Sequence, residues 1–271
     1  MPGKDNKALR FWQLGLFAAL LLAWYVLTSP TLLPPLYFED PHKAAFFFGE
    51  PLKVAARIWD WFSSGSIYPH LWVTLVETAL AFAIGTILGL VMGLWLARSS
   101  TASALLDPYL KALNSMPRVI LAPIFAMWFG LDMGSKVALG VTLVFFIVFF
   151  NVYQGVREVS HTVLANARML GANDRQLLRH VYVPSAMSWV FASLHNSVGL
   201  AFVGAVVGEY LGSSRGVGYL ILQAEGTFDF NAVVAGIVVL TVFALLLDWM
   251  VTIAERRLLV WQPRGGETEK I

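Results

Sequence analysis

Gly212-Ser-Ser-Arg-Gly216 fits the G-x-S-x-G pattern of a hydrolase nucleophile, and five histidines, at 42, 70, 161, 180 and 195, offer bases or metal ligands. Neither feature supports an enzyme. A nucleophile elbow needs a strand before the Ser and triad partners in the order Ser, Asp, His. Here a glycine-containing apolar helix precedes Ser214 and no His follows it. The His spacings match neither H-E-x-x-H nor another metal-ligand pattern. With no Cys in the chain there is no thiolate site, disulfide or cysteine nucleophile. G-x-x-x-x-G-K-[ST] is also absent, so the chain has no P-loop to cradle ATP phosphates. ATP-driven work would fall to a partner. The chain is therefore expected to catalyse nothing and to hold no metal or cofactor.

A second set of residues carries chemistry by being in the wrong solvent. Glu77, His195, Glu209 and Asp248 interrupt long apolar runs, and an ionisable group at membrane depth costs about 2.5–3.5 kcal/mol on the insertion scale. Glu77 and Glu209 fall within about two helical turns of one membrane surface and Asp248 within about two of the other, where snorkelling or interhelical hydrogen bonds account for them. His195 is more interior. With Asn196 beside it and Asn151 and Gln154 on the preceding apolar run, it reads either as a neutral His bonded to a neighbouring helix or as part of a polar pathway. Together with Glu209 these four form the candidate pathway lining. They make no ordered chain of carboxylates of the kind that marks a proton relay.

The elements that position these residues are membrane spans. Of the 271 residues, 58% are hydrophobic and 13% charged, and the mean hydropathy is +0.67, whereas ordinary globular chains carry roughly 25% charged residues. The net charge of +2 is too small to argue for nucleic acid. Six apolar runs are long enough to cross at about 20 residues each: 11–28, 71–97, 105–131 with kinks at Pro117 and Pro123, 137–156, 188–211 and 233–253. The first is read as a retained span rather than a cleaved signal, being long and followed by Ser29-Pro30 without an A-x-A site. With a cytoplasmic N-terminus, the inside segments hold Lys4, Lys7, Arg10, Arg98, Lys111, Arg118, Arg157, Arg168, Arg175, Arg179, Arg256, Arg257, Arg264 and Lys270. The outside segments hold Lys43, Lys53, Arg57, Lys136 and Arg215. This asymmetry obeys the positive-inside rule and places both termini in the cytoplasm. Two ladders of small residues, Gly85/Gly89/Gly93 and Gly204/Gly208/Gly212, allow close helix approach. Packing within one chain is the expected use, and a dimer face is the alternative.

Between the fourth and fifth spans, residues 164–184 read as helix, turn, helix. Gly171 supplies a left-handed stop, and Asn173 caps a second helix with Gln176 in a capping box. Leu177, Leu178 and Val181 make an apolar face, Arg175 and Arg179 lie four apart on another, and Pro184 is expected to end the element. Such a projection suits either an amphipathic helix lying on the membrane or a docking knob for a soluble protein.

This segment and several motifs in order resemble the permease subunits of binding-protein-dependent ABC importers, in the nitrate, sulfonate, taurine and bicarbonate branch. Asn166-Ala167, Arg168, Leu170-Gly171-Ala172 and Val183-Pro184 fall in the register of the family's E-A-A-x-x-x-G signature, with Ala165 where the signature has Glu. Pro123 to Gly130, Asn151-Val-Tyr-Gln-Gly155, Gly216-Val-Gly-Tyr-Leu-Ile221, Ala235-Gly-Ile237 and Glu255 to Trp261 are similar to further family motifs, so the likeness spans about residues 67–262. The resemblance implies an all-α integral membrane protein of the type I importer permease fold. It divides the chain into an N-terminal helix and outer loop (1–66), a permease domain (67–253) and a cytoplasmic tail (254–271). It also implies a multi-pass protein of the bacterial plasma membrane, paired with a second permease, two ATPase subunits that bind ATP and Mg, and an extracytoplasmic solute-binding protein. The solute would be a nitrate-, sulfonate- or taurine-like anion or a related small organic molecule. Coupling to the ATPase would run through Ala167, Arg168, Leu170, Gly171, Ala172, Arg175, Leu177, Leu178, Val181 and Pro184. The rival reading is a secondary transporter or channel that works without ATP.

Overall fold

The structure is a computed structural model and describes residues 5–29 and 42–258. The outer-loop acids Glu39 and Asp40 and the tail from residue 259 onward lie outside these. Every regular element among the described residues is helical. In chain order these are α1 (Asp5–Thr28), α2 (His42–Phe48), α3 (Pro51–Ser63), α4 (Tyr68–Arg98), α5 (Ser100–Ser115), a 3₁₀ turn (Arg118–Leu121), α6 (Ala122–Phe129), α7 (Met133–Arg157), α8 (His161–Met169), α9 (Asp174–Leu177), a π-helical turn (Leu178–Tyr182), α10 (Val183–Leu211), α11 (Val217–Gly226) and α12 (Phe230–Leu258).

Four helices among the described residues are long and apolar enough to cross a bilayer: Ala8–Thr28, Tyr68–Arg98, Met133–Arg157 and Phe230–Ile253. The stretch expected as one kinked third span is instead two helices, Ser100–Ser115 and Arg118–Phe129, bent by 87°. If the pair is one broken span, the number rises to five. The bend falls at Met116-Pro117, because a residue before Pro is pushed out of helical dihedrals. Met116 accordingly adopts ψ 134°. Pro123 causes no kink, since it stands in the first turn of α6, where its missing N–H is not needed. Helix α10 has 29 residues, enough to cross as well.

The chain forms two compact units. One comprises residues 1–70 and 217–241. In it α1 is exposed nearly all round, as a lipid-facing helix is. The α2–α3 corner is tied to the start of α12: Glu50 N–H donates to Asn231 Oδ1 at 2.8 Å, Arg57 pairs with Asp229 at 2.7 Å, and Phe46 meets Phe230 edge-on.

The other unit comprises residues 71–216 and 242–271 and is organised around α7. Both glycine ladders pack onto this helix within the chain. A Cβ on Gly85, Gly89 or Gly93 would stand 2.7–2.9 Å from the Cβ of Val144, Val148 or Val152 respectively, so α4 lies with its backbone against a valine ridge of α7. On another side, Gly204 faces Gly140 of α7, Gly208 faces Lys136, and Gly212 faces Leu131 in the loop before α7. Without a hydrophobic force between helices in lipid, this close approach supplies the dispersion contact that holds them together. The ladders are spent on intrachain packing, so the dimer-face alternative is set aside.

Candidate functional site

The α8–α9 projection is built from local signals. Gly171 has φ +83°, its N–H donates to Arg168 O at 2.9 Å, and Ala172 N–H donates to Ala167 O at 3.0 Å. That pair of bonds is a Schellman stop. Two residues on, Asn173 Oδ1 accepts from Gln176 N–H and Gln176 Oε1 accepts from Asn173 N–H, each at 2.9 Å, completing the expected capping box. The turn leaves two large apolar side chains at its tip, Met169 79% and Leu170 88% exposed. Arg168, Arg175 and Arg179 are exposed as well, while Ala167 and Ala172 are half-buried.

Two details differ from the expectation. Leu177 is 2% exposed and packs inside the chain, and Leu178 and Val181 are half-buried. Periodicity identifies an apolar face but not what covers it, and here the chain itself covers Leu177. The apolar residues offered outward are Met169 and Leu170, a pair legible as large hydrophobics set immediately before a glycine stop. Pro184 also does not end the element: α9, the π turn and α10 run on without a break from Asp174 to Leu211. Proline lacks the N–H that an α-helix would need at that point. It stands in the first turn of α10 directly after the π segment, where the register of hydrogen bonds shifts.

The five candidate pathway residues fall in three places. Asn151 Nδ2 donates to Ile147 O at 2.8 Å and Gln154 Nε2 to Glu158 Oε1 at 3.0 Å, so both are satisfied along α7. His195 Nε2 meets Asp248 Oδ1 of α12 at 3.1 Å, and with Asn196 they border a cavity of about 240 Å³ between α10 and α12. This is the interhelical bond that an intramembrane His requires.

Glu209 belongs to a third group, at the opposite end of α10. It is fully buried and accepts from Thr74 Oγ1 at 2.6 Å. It interacts with Glu77 of α4 and Lys136 of α7, which are equally buried. The Lys136 ammonium donates to Leu131 O and, at 2.9 Å, to Asp132 O. Gly216 completes the group: at φ +108° its Cα faces the Glu209 carboxylate so closely that a Cβ would stand 2.1 Å from Cδ. Sequence reasoning counted Lys136 as an outer-loop charge because it falls between the third and fourth apolar runs. The signal pointing inward was its place one turn into an apolar helix.

None of this is hydrolytic machinery. Ser214 lies on an exposed turn after a helix, and among the described residues no group of three His, Cys, Asp or Glu could hold a metal.

Comparison with known proteins agrees with the fold. A family profile described as binding-protein-dependent transport system inner membrane component matches residues 85–260. A Bacillus subtilis (strain 168) permease protein, SsuC, named for aliphatic sulfonates transport, is 32% identical over 268 residues, covering 96% of this chain and 91% of the relative. The taurine transport system permease protein TauC of Escherichia coli (strain K12) is 27% identical over 249 residues, covering 92% and 89%. The riboflavin transport system permease protein RibX of Chloroflexus aurantiacus is 33% identical over 218 residues, covering 80% and 81%. Among solved structures, an inward-facing MetNI methionine ABC transporter superposes with a TM-score of 0.60 over 69% of this chain and 94% of that one, at 18% identity, a likeness of fold alone. An ATP-independent transporter or channel is thereby set aside, and the permease is a transport subunit rather than an enzyme. The chain belongs to the inner-membrane permeases of binding-protein-dependent ABC importers, multi-pass proteins of the plasma membrane, in the branch that holds the sulfonate and taurine permeases.

Proposed function

We propose that this permease pairs with a second copy or a sister permease to enclose a pathway for a small organic anion of the sulfonate or taurine kind. An extracytoplasmic binding protein delivers the solute, and two cytoplasmic ATPase subunits bind the ATP and Mg. Both termini are cytoplasmic, and α8–α9 projects on the same side. The observation that carries the coupling role is the Gly171 turn, which presents Met169 and Leu170 almost wholly uncovered between exposed arginines. A compact, uncovered apolar tip suits a cleft in a soluble ATPase better than it suits water.

The mechanism is alternating access. A ligand shifts a conformational equilibrium only by its differential affinity for the two states. ATP acts through this chain because the ATPase dimer closes around it and the projection moves with the ATPase. The continuous helix from Asp174 to Leu211 joins the projection to the α7 packing seam, so movement passed through the Gly171 turn reaches α10 along one helix. Selection of the solute falls to the binding protein.

The test is assembly of the complex with Met169→Asp/Leu170→Asp. The variant should insert and fold but lose co-purification with the ATPase subunits, or lose solute-stimulated ATP hydrolysis. A variant that assembles and transports at the normal rate would make the segment a surface linker.

A further inference from the structure

The sequence places Arg118 among the cytoplasmic charges, but the fold carries its side chain to the middle of a membrane helix. The bent pair α5 and α6 is anchored along α7 in order. Ser103 of α5 is hydrogen-bonded to Tyr153 near one end of α7, and Leu131 O, just past α6, accepts from Lys136 near the other. Between these anchors, at the 87° elbow, the Arg118 guanidinium lies 4.8 Å from the centroid of the Phe146 ring. Along α7, Phe146 is about 20 Å from Met133 and about 17 Å from Arg157 at a rise of about 1.5 Å per residue. With α7 crossing the bilayer, that point falls near the midplane of a hydrocarbon core about 30 Å thick. The guanidinium does not snorkel toward an edge, because Nη2 donates to Asn114 O at 3.0 Å and to Asn114 Oδ1 and so holds it at the elbow.

No group there neutralises the charge. Among the described residues Arg118 makes no ion pair, its Nε is buried without an acceptor, and Nη1 has none either. The Phe146 face attracts the cation but, like the two Asn114 oxygens, brings no net charge. An arginine at such depth belongs to a bundle interior or a water-filled cavity and pairs with a group found there, and breaks in spanning helices occur where they line such a cavity. Asn114, Val119 and Ile120 at the elbow are exposed, so the chain itself does not close it over. The complement of a guanidinium fork is an oxyanion. A lipid headgroup stays at the interface, too far from Phe146 to serve, which leaves a small water-borne anion. The geometry points to Arg118 as a mid-membrane binding site for the sulfonate, or a similar oxyanion group, of a small solute. That this anion is the transported solute rests on the function proposed above, whereas binding of an anion does not.

The test treats the nucleotide-free complex of permease and ATPase subunits, in lipid nanodiscs, with p-hydroxyphenylglyoxal, a water-soluble arginine reagent, and follows each arginine by peptide mass spectrometry. Arg118 should be labelled, and methanesulfonate should slow that labelling saturably, about tenfold at about ten times the half-protecting concentration, as occupancy of one site requires. Dimethyl sulfone, close to methanesulfonate in size but uncharged, should give no protection. Arg215, exposed on the loop after α10, should be labelled at the same rate with either compound. An Arg118 that stays unlabelled overturns the site, since lipid or a carboxylate of another subunit then covers it. Equal labelling with methanesulfonate and with dimethyl sulfone overturns it as well, because Arg118 is then a hydrated cation and nothing more. Labelling requires neither ATP nor uptake, so a failed site is distinguishable from a failed transport reading, on which solute uptake by the assembled importer reports.

Discussion

Lys136→Met is the most direct probe of the buried group that joins the ends of α4, α7 and α10. Methionine keeps most of the volume against Gly208 but removes the ammonium. Leu131 O and Asp132 O lose their donor, and Glu77 and Glu209 lose their buried cation. Leaving those two carbonyls without a donor, and the nearby carboxylates without a cation, costs about 1–3 kcal/mol. The size of the loss depends on burial, and Lys136, Glu77 and Glu209 are each at most 1% exposed. A second substitution separates this cause from lost packing. Glu77 shares a side-chain hydrogen bond with Glu209, and Glu77→Gln keeps a donor for that bond while removing an ionisable group that lies near Lys136. Lys136→Met/Glu77→Gln should recover at least about 1 kcal/mol of the single-variant loss, within the range of couplings measured for residues in contact. The assay is denaturant unfolding of the permease in lipid nanodiscs, read across the full double-mutant cycle. A Lys136→Met protein within about 1 kcal/mol of the parent, or a double variant no more stable than the single one, would refute the reasoning.

Three further outcomes follow from the geometry. Gly89→Val places branched carbons where Val148 Cβ is 2.8 Å and Phe145 O 2.9 Å from the first added atom, and should destabilise the α4–α7 seam by about 1–3 kcal/mol or more; Gly15→Ala, with nothing within 4 Å, is the neutral control in the same unfolding assay. Gly171→Val forces a β-branched residue to φ +83°, which is strongly disfavoured, and should leave insertion intact while reducing ATPase co-purification; Ala165→Glu, at a half-buried position on α8, should be tolerated in the same pull-down. Because the chain has no Cys, Ser64→Cys should label with an impermeant thiol reagent on intact spheroplasts and Ser160→Cys only after the membrane is opened, the reverse pattern contradicting the threading.

Features that depend on a few neighbouring residues were legible in the sequence. The stop at Gly171, the Asn173–Gln176 box and the long helices around Leu71–Ala97 and Val137–Val156 follow from local dihedral preferences and apolar runs. Features that depend on distant partners were not. Spacing showed that Gly85, Gly89 and Gly93 would admit a close neighbour, but only the fold names Val144, Val148 and Val152. Leu177 carried the same signal as Leu178 and Val181, and burial separates it from them. Lys136 counted as an outer-loop cation, since a charge near a helix end looks the same whether it points to water or into a seam. For the third span the kink at Pro117 was expected, but its size was not. Hydropathy sums over Leu105–Leu131 without regard to direction, and Pro117 turns the chain by 87° inside that window. The candidate pathway set was split because His195 and Glu209 share α10 but lie about four turns apart, with unrelated partners.

The central functional claim is that this chain transports only as the membrane half of an ATP-driven importer. The measurement that tests it is solute uptake into proteoliposomes containing the permease, assembled with and without its ATPase subunits and binding protein, with an ion gradient imposed in a parallel set. Uptake should require ATP inside the compartment that holds the ATPase, together with both partners, and should be absent from the permease alone under any gradient. Concentrative uptake by the isolated permease on an ion gradient would contradict the account.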